Sequence, residues 1–299
     1  MTRNYRFAVV AKDLENVFFT DVGRGCVDRA AHLTLASGGD TNVTCLFVGS
    51  PTGDKRYRQG NQTAIVEDLL LSSDGSGLDG MAIAVIDQDE GRRLIEMALD
   101  AGVPTITYNV DAPDSGRLAY VGTDSASYGA ELANALLQEK PSGGKYAIVD
   151  RDSTVIKEVA QGARARLAEE GSWREATDAG SPLDCGGKGD VAQDLVYEAI
   201  ERVPDLGAVI SAGSYPVREQ FVDGWKAMVR DGRFAKVTFV VSTERQEAVD
   251  LLKEGYIDSL VGQQPFMQGA ESVDRLYELR RAQQGLSAAS FANGTLFKA

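Results

Sequence analysis

Short, almost unbroken apolar runs recur along the chain: FAVVA (7–11), VTCLFVG (43–49), MAIAVI (81–86), VPTITYN (103–109), KYAIVD (145–150), GAVIS (207–211) and KVTFVV (236–241). A strand wetted on one side alternates apolar and polar residues, and these runs do not. They therefore read as strands of parallel sheets covered by helices on both faces. The stretches between them have helical spacing. Val22, Cys26, Ala30 and Leu33 recur at intervals of four, four and three. QTAIVEDLLL and DEGRRLIEMALDAG follow, the first broken by DGSGLDG and the second closed by Gly102. In the second half, VIKEVAQGARARLAEEG, DVAQDLVYEAIERV and VREQFVDGWKAMVRDG read as helices. At 299 residues the chain is long for one core, and the two sets of strands predict two doubly wound α/β lobes.

In such sheets ligands collect at the carboxyl ends of the strands. The loops to inspect are AKDLEN, GSPTGD, DQDEG, NVDAPDSG, DRDST, SAGSYP, STERQ and GQQPF. The first leads into two adjacent aromatics, Phe18 and Phe19, and only one face of a helix start can point at the core. With Lys12 and Asn16 they form a candidate sandwich for a polyol ring, whose C–H faces stack on aromatics while polar groups bond its hydroxyls. The plainer alternative is that both rings begin the helix core. Asp87, Asp89, Asp111 and Asp150 also fall in these loops. Paired carboxylates do acid–base work or hold hard cations. Asp is equally a cap and turn residue, and no nucleophile accompanies these four, so the structural reading carries more weight.

Several function classes drop out. No loop has a phosphate-binding glycine pattern. The one histidine, His32, lies mid-helix, which removes a His-based triad and a His-rich metal site. No catalytic residue, cofactor or metal is expected. A net charge of −13 disfavours nucleic acid and anionic membrane as partners. No apolar run approaches ~20 residues. MTRNYRFAVV lacks the apolar core of a signal peptide, so the protein is expected to be cytosolic or to have lost its targeting segment. Cys26, Cys45 and Cys185 contain no Cys-x-x-Cys. Cys26 and Cys45 lie in consecutive elements and are able to meet. A disulfide there would indicate an oxidising compartment; two buried thiols is the alternative.

Three stretches carry a resemblance: KDLENVFFTDVGRG, GVPTITYNVDAPDSGRLAYVGTDSASYG and EAVDLLKEGYIDSLVGQQPFMQGAESVDRL. In this order they resemble the periplasmic sugar-binding proteins of the ribose/galactose type, a branch of the type I solute-binding fold. The resemblance covers essentially the whole chain. It implies two Rossmann-like lobes, 1–123 plus 264–290 and 124–263 plus 291–299, joined by a three-stranded hinge and closing on a ligand in the cleft between them. The hinge would include AYVGTD, the region near Gln263 and the segment near Phe291. It implies ligand contacts from Lys12, Asn16, Phe18, Phe19, Asn109 and Asp111 in one lobe. Lys157, Ser214, Tyr215, Thr243 and Gln263 follow in the other lobe and at the hinge. Asn109-Val110, Gly213-Ser214 and Thr243 depart from the carboxylates and amides the family carries there. A buried polar site rejects ligands that leave its groups unpaired, so ribose is not carried over.

The expected function is that of a monomeric, soluble, extracytoplasmic binder, its signal peptide absent from this chain. It would take a small polar ligand, a sugar or sugar-like molecule, and deliver it to an ABC permease. The alternative is a ligand-sensing ectodomain of a membrane receptor or kinase. Two further readings weigh less. A LacI-type effector domain needs ~60 residues of DNA-binding segment upstream, and an enzyme would have to use the acidic loops.

Overall fold

A computed structural model describes residues 2–71 and 77–285. The chain divides into two compact units. One runs to Gly122 and resumes at Gln264; the other spans Thr123–Gln263. The expected hinge strand near Phe291, the 291–299 part of the second lobe and the first three residues of the DGSGLDG breaker lie outside the described residues.

The first unit contains β1 (Arg3–Ala11), α1 (Val17–Ala36), β2 (Thr41–Gly49), α2 (Lys55–Leu71), β3 (Gly80–Ile83), α3 (Gln88–Asp100), β4 (Thr105–Tyr108) and β5 (Tyr120–Val121). The second contains α4 (Ser125–Glu139), β6 (Gly144–Asp150), α5 (Thr154–Glu170), β7 (Trp173–Glu175), β8 (Leu183–Asp184), α6 (Gly189–Arg202), β9 (Leu206–Ser211), α7 (Val222–Val229), β10 (Thr238–Ser242), α8 (Gln246–Lys253) and β11 (Ser259–Val261). The chain then returns to the first unit as α9 (Pro265–Gln283).

Each unit is built on a parallel sheet, and the strand orders are β2-β1-β3-β4-β5 and β7-β6-β9-β10-β11, with β8 pairing the end of β6. Counted within its own unit, each order is 2-1-3-4-5. The direction of winding reverses once in each, between β1 and β3 and between β6 and β9. At that reversal the loops after the two central strands diverge to opposite faces and leave a crevice at their carboxyl ends.

The unbroken apolar runs now have a cause. Along β1, Phe7, Val9 and Ala11 pack beneath α1 and α9, while Ala8 and Val10 pack beneath α2 and α3 with Met81, Ile83 and Leu94. Along β6, Ala147 and Val149 join one core, and Tyr146 and Ile148 the other. Each central strand is covered on both faces, so every position is apolar.

The helix layers repeat a second device. A Cβ built on Gly25 of α1 would come within 1.9 Å of the Phe266 carbonyl oxygen of α9, and one on Gly269 within 2.0 Å of that of Val22. In the other unit, Gly129 of α4 and Gly162 of α5 stand in the same reciprocal relation, each 1.9 Å from a carbonyl of the partner helix. Glycine is what lets these backbones touch.

Side chains start the helices. Asn16, Asp87, Asp124 and Ser153 each accept a hydrogen bond from the first turn of α1, α3, α4 and α5. Cys26 and Cys45 form a disulfide, Cα atoms 6.0 Å apart, tying α1 to the edge strand β2. Cys185 is a buried free thiol. VREQFVDGWKAMVRDG is helical only from Val222 to Val229, because Arg218 is extended (φ −64°, ψ 154°) and two 3-10 turns precede the helix.

Candidate ligand-binding site

In the first unit, β1 ends by delivering Lys12 and Asp13 to the reversal point. Asp13 is 3% exposed, and both its carboxylate oxygens are engaged. The Asn16 amide donates to one at 2.9 Å and Arg58 Nη1 to the other at 3.1 Å. Lys12 is half-buried and makes no hydrogen bond or ion pair among the described residues. Burial, and then the Arg58 guanidinium, lower its ammonium from 10.5 to about 8 against the opposing pull of Asp13. Arg58 Nε is itself buried without a partner.

Asn16 caps α1, its side-chain oxygen accepting from the Phe18 amide at 3.0 Å. The cap fixes how the two phenylalanines leave the loop. Their rings meet edge-on at 5.2 Å. Phe19 is 3% exposed and packs in the core, 6.3 Å from the Tyr108 ring; Phe18 is half-exposed at the core's margin. The two rings therefore divide the work, and Phe19 presents almost no surface on which to stack a sugar.

After β4, Asn109 takes a left-handed conformation (φ 59°), which Asn tolerates better than most residues. Its amide donates to the Val121 carbonyl at 3.0 Å, and its carbonyl accepts from the Tyr120 hydroxyl at 3.2 Å. Asp111 is saturated from within. Arg117 grips it with two nitrogens, Thr107 Oγ1 donates at 2.6 Å and the Ala112 amide at 2.8 Å. That carboxylate organises its own loop rather than offering a free acceptor. Asp87 caps α3 and Asp89 pairs with Arg92 at 2.6 Å, as the structural reading of these acids expects.

In the second unit, β6 ends at Asp150, 6% exposed and in register with Asp184 of β8. Burial, and then Asp184, push its carboxyl up. Lys157 stands in the first turn of α5, exposed and paired with Asp152 at 2.5 Å. Both side chains are more than half exposed, so this pair adds little stability. Beyond β9, Tyr215 is 4% exposed, with the Arg218 guanidinium 5.1 Å from its ring centroid. Arg218 also donates to the Gly187 carbonyl at 3.0 Å and to Ser214 Oγ at 3.5 Å. Thr243, after β10, is 7% exposed; its hydroxyl accepts from the Arg245 amide at 3.1 Å, and its own amide donates to Val261 at 3.0 Å. The Gln263 amide donates to Glu244 at 3.3 Å, and Gln264 is left-handed (φ 54°).

Within the first unit, Lys12, Asn16 and Phe18 gather at one loop. Within the second, Ser214 and Tyr215 meet Arg218. Sequence reasoning missed Arg58, which reaches Asp13 from forty-five positions away, and Arg151 and Arg218, which lie in or beside loops already singled out. No group of three His, Cys, Asp or Glu side chains able to hold a metal occurs among the described residues.

A family model described as periplasmic binding protein domain matches residues 7–284. The chain belongs to this family. Periplasmic binding proteins are solute binders rather than enzymes and work outside the cytoplasm. No helix among the described residues is long and apolar enough to cross a membrane.

Solved structures share the fold at low identity. A sugar-binding protein of a sugar ABC transporter from Bacillus halodurans matches at 20% identity and a TM-score of 0.76, over 94% of this chain and 89% of its own. The arabinose-binding protein AraP of Geobacillus stearothermophilus matches at 17% and 0.76, over 97% and 91%. A solute-binding protein from Burkholderia graminis in complex with D-arabinose matches at 21% and 0.67, over 95% and 92%. No curated protein matches by sequence.

Proposed function

We propose that this periplasmic binding protein captures a monosaccharide or a closely sugar-like solute and delivers it to an ABC importer. The observation that carries the reading is the repeated 2-1-3-4-5 sheet. Each unit brings one reversal point, and each reversal point holds a polar cluster with an aromatic beside it. Lys12, Asn16 and Phe18 serve in the first unit; Ser214 and Arg218 serve in the second, beside the buried Tyr215 ring. The solved relatives named above as sugar or arabinose binders support the ligand class.

Gly122 and Thr123, and Gln263 and Gln264, lie at the two described chain crossings. The protein works outside the cytoplasm, and the Cys26–Cys45 disulfide suits an oxidising compartment. In this reading a targeting segment precedes the mature chain.

The test is a thermal-shift screen of the ligand-free protein against pentoses, hexoses, sugar alcohols, sugar acids and amino acids. At ~100 times its dissociation constant a ligand stabilises the fold by about 2.7 kcal/mol, a rise of several degrees. Silence across every sugar class, with a response to amino acids, would reject the sugar reading.

A further inference from the structure

One cation in the strand-end region of the first unit has no hydrogen-bond or ion-pair partner among the described residues. Lys12 and Arg58 face a single carboxylate, Asp13, whose oxygens are already bonded by Arg58 and the Asn16 amide. The other acids of these loops are engaged elsewhere. Glu15 accepts from the Gly53 amide at 2.7 Å, and Asp54 holds Arg56 at 2.6 Å. Lys12 is left half-buried with no hydrogen-bond or ion-pair partner among the described residues, and Arg58 Nε is buried and unpaired. A cation is costly to withdraw from water without an opposite charge beside it. The ammonium left without a partner lies in the same loop as Asn16 and Phe18.

We propose that the ligand is an acidic monosaccharide, an aldonate or uronate, whose carboxylate is received by Lys12 and Arg58 while its ring lies on Phe18. This deepens the sugar-binding reading and rests on it. One unpartnered ammonium calls for one carboxylate, and the sugar phosphate in the panel below tests the dianion. Charge-assisted hydrogen bonds to carboxylate are the strong ones, so the group sets selectivity. The lowered Lys12 ammonium fits the same arrangement: an incoming anion restores it towards its ordinary range, and binding at alkaline pH takes up a proton.

The experiment is isothermal titration of the ligand-free protein with a panel of aldonic and uronic acids, each beside its neutral parent sugar and its sugar phosphate. At least one acid is expected to bind ten-fold or more tightly than its neutral parent. At pH 9 its binding enthalpy is expected to vary with buffer ionisation enthalpy, in the sense of proton uptake. Lys12→Met should erase the preference and the uptake, and Lys12→Arg should keep the preference. A neutral parent binding as tightly as its acid overturns this inference and leaves sugar binding standing. A phosphate binding tightest overturns the carboxylate assignment. No sugar of any kind binding overturns both.

Discussion

Adding one methyl group at Gly162 puts the helix packing of the second unit to a severe test. The new Cβ would sit 1.9 Å from the Ala126 carbonyl oxygen, which belongs to backbone and cannot rotate away. An ordinary carbon–oxygen contact is about 3.3 Å, so α4 and α5 must separate by roughly 1.4 Å. Overpacking of this kind costs about 1–3 kcal/mol. Against it, Ala gains up to ~1 kcal/mol over Gly in a helix interior. Gly162→Ala is therefore expected to destabilise the second unit by about 1–2 kcal/mol and lower its melting temperature by roughly 4–8 °C. Gly60 in α2 is the internal control, since a Cβ there meets nothing within 4 Å. Gly60→Ala should raise the melting temperature of the first unit by a few degrees. Scanning calorimetry reads both. If Gly162→Ala melts at or above the parent protein, the close-contact argument fails, and with it the explanation offered for all four glycines.

Three further outcomes follow from the site and its frame. Phe18→Ala should weaken ligand binding about ten-fold with little loss of stability. Phe19→Ala should cost about 3–5 kcal/mol of stability, and calorimetry with titration separates the two. Reduction of Cys26–Cys45, which closes a loop of nineteen residues, should cost about 3 kcal/mol, seen as a lower melting temperature with dithiothreitol; no change would mean that the bond constrains nothing. Lys12→Met should raise the melting temperature of the ligand-free protein at pH 7. Because the folded ammonium titrates near 8 and the unfolded one near 10.5, the unfolded chain binds more protons in that window. The parent's penalty is thus fully present below pH 8 and relieved as pH rises towards 10.5. The advantage of the variant should shrink over that range, and an advantage independent of pH would refute the assignment.

The doubly wound fold was legible because both faces of the central strands are covered, which writes a continuous apolar run into β1 and β6. The shortest elements were not. β7 and β8 have three and two residues and depend on neighbouring strands for their existence, whereas β5 falls in AYVGTD, which the resemblance marked as a strand. α4 carried little signal because SASYGAELANALLQE is rich in small residues, a choice explained by Gly129 only once α5 is seen against it. The first site loop was readable as a cluster, yet its charge balance was not. Arg58 looks like a solvated helix residue until Asp13 is found beside it, and Asp111 looks available until Arg117 closes on it six residues later. Phe18 and Phe19 could not be told apart by type; the capping geometry at Asn16 decides which ring is buried.

Among the described residues the first unit is interrupted in sequence, and the second is not. β1 to β5 end at Val121, but Val273, Leu276 and Tyr277, which complete their core, arrive on α9. A ribosome that has finished residue 122 must add 161 more, 283 − 122, before α9 is whole. At about 5–20 residues per second this is roughly ten to thirty seconds; over its last stretch, residues 264 to 283, the described sequence of the second unit is all present and the first still lacks α9. The order of synthesis and the order of folding are thereby reversed. The amino-terminal unit waits with an open face until α9 is made, and a nascent chain halted between residues 264 and 283 holds the described sequence of the later unit but not of the earlier one.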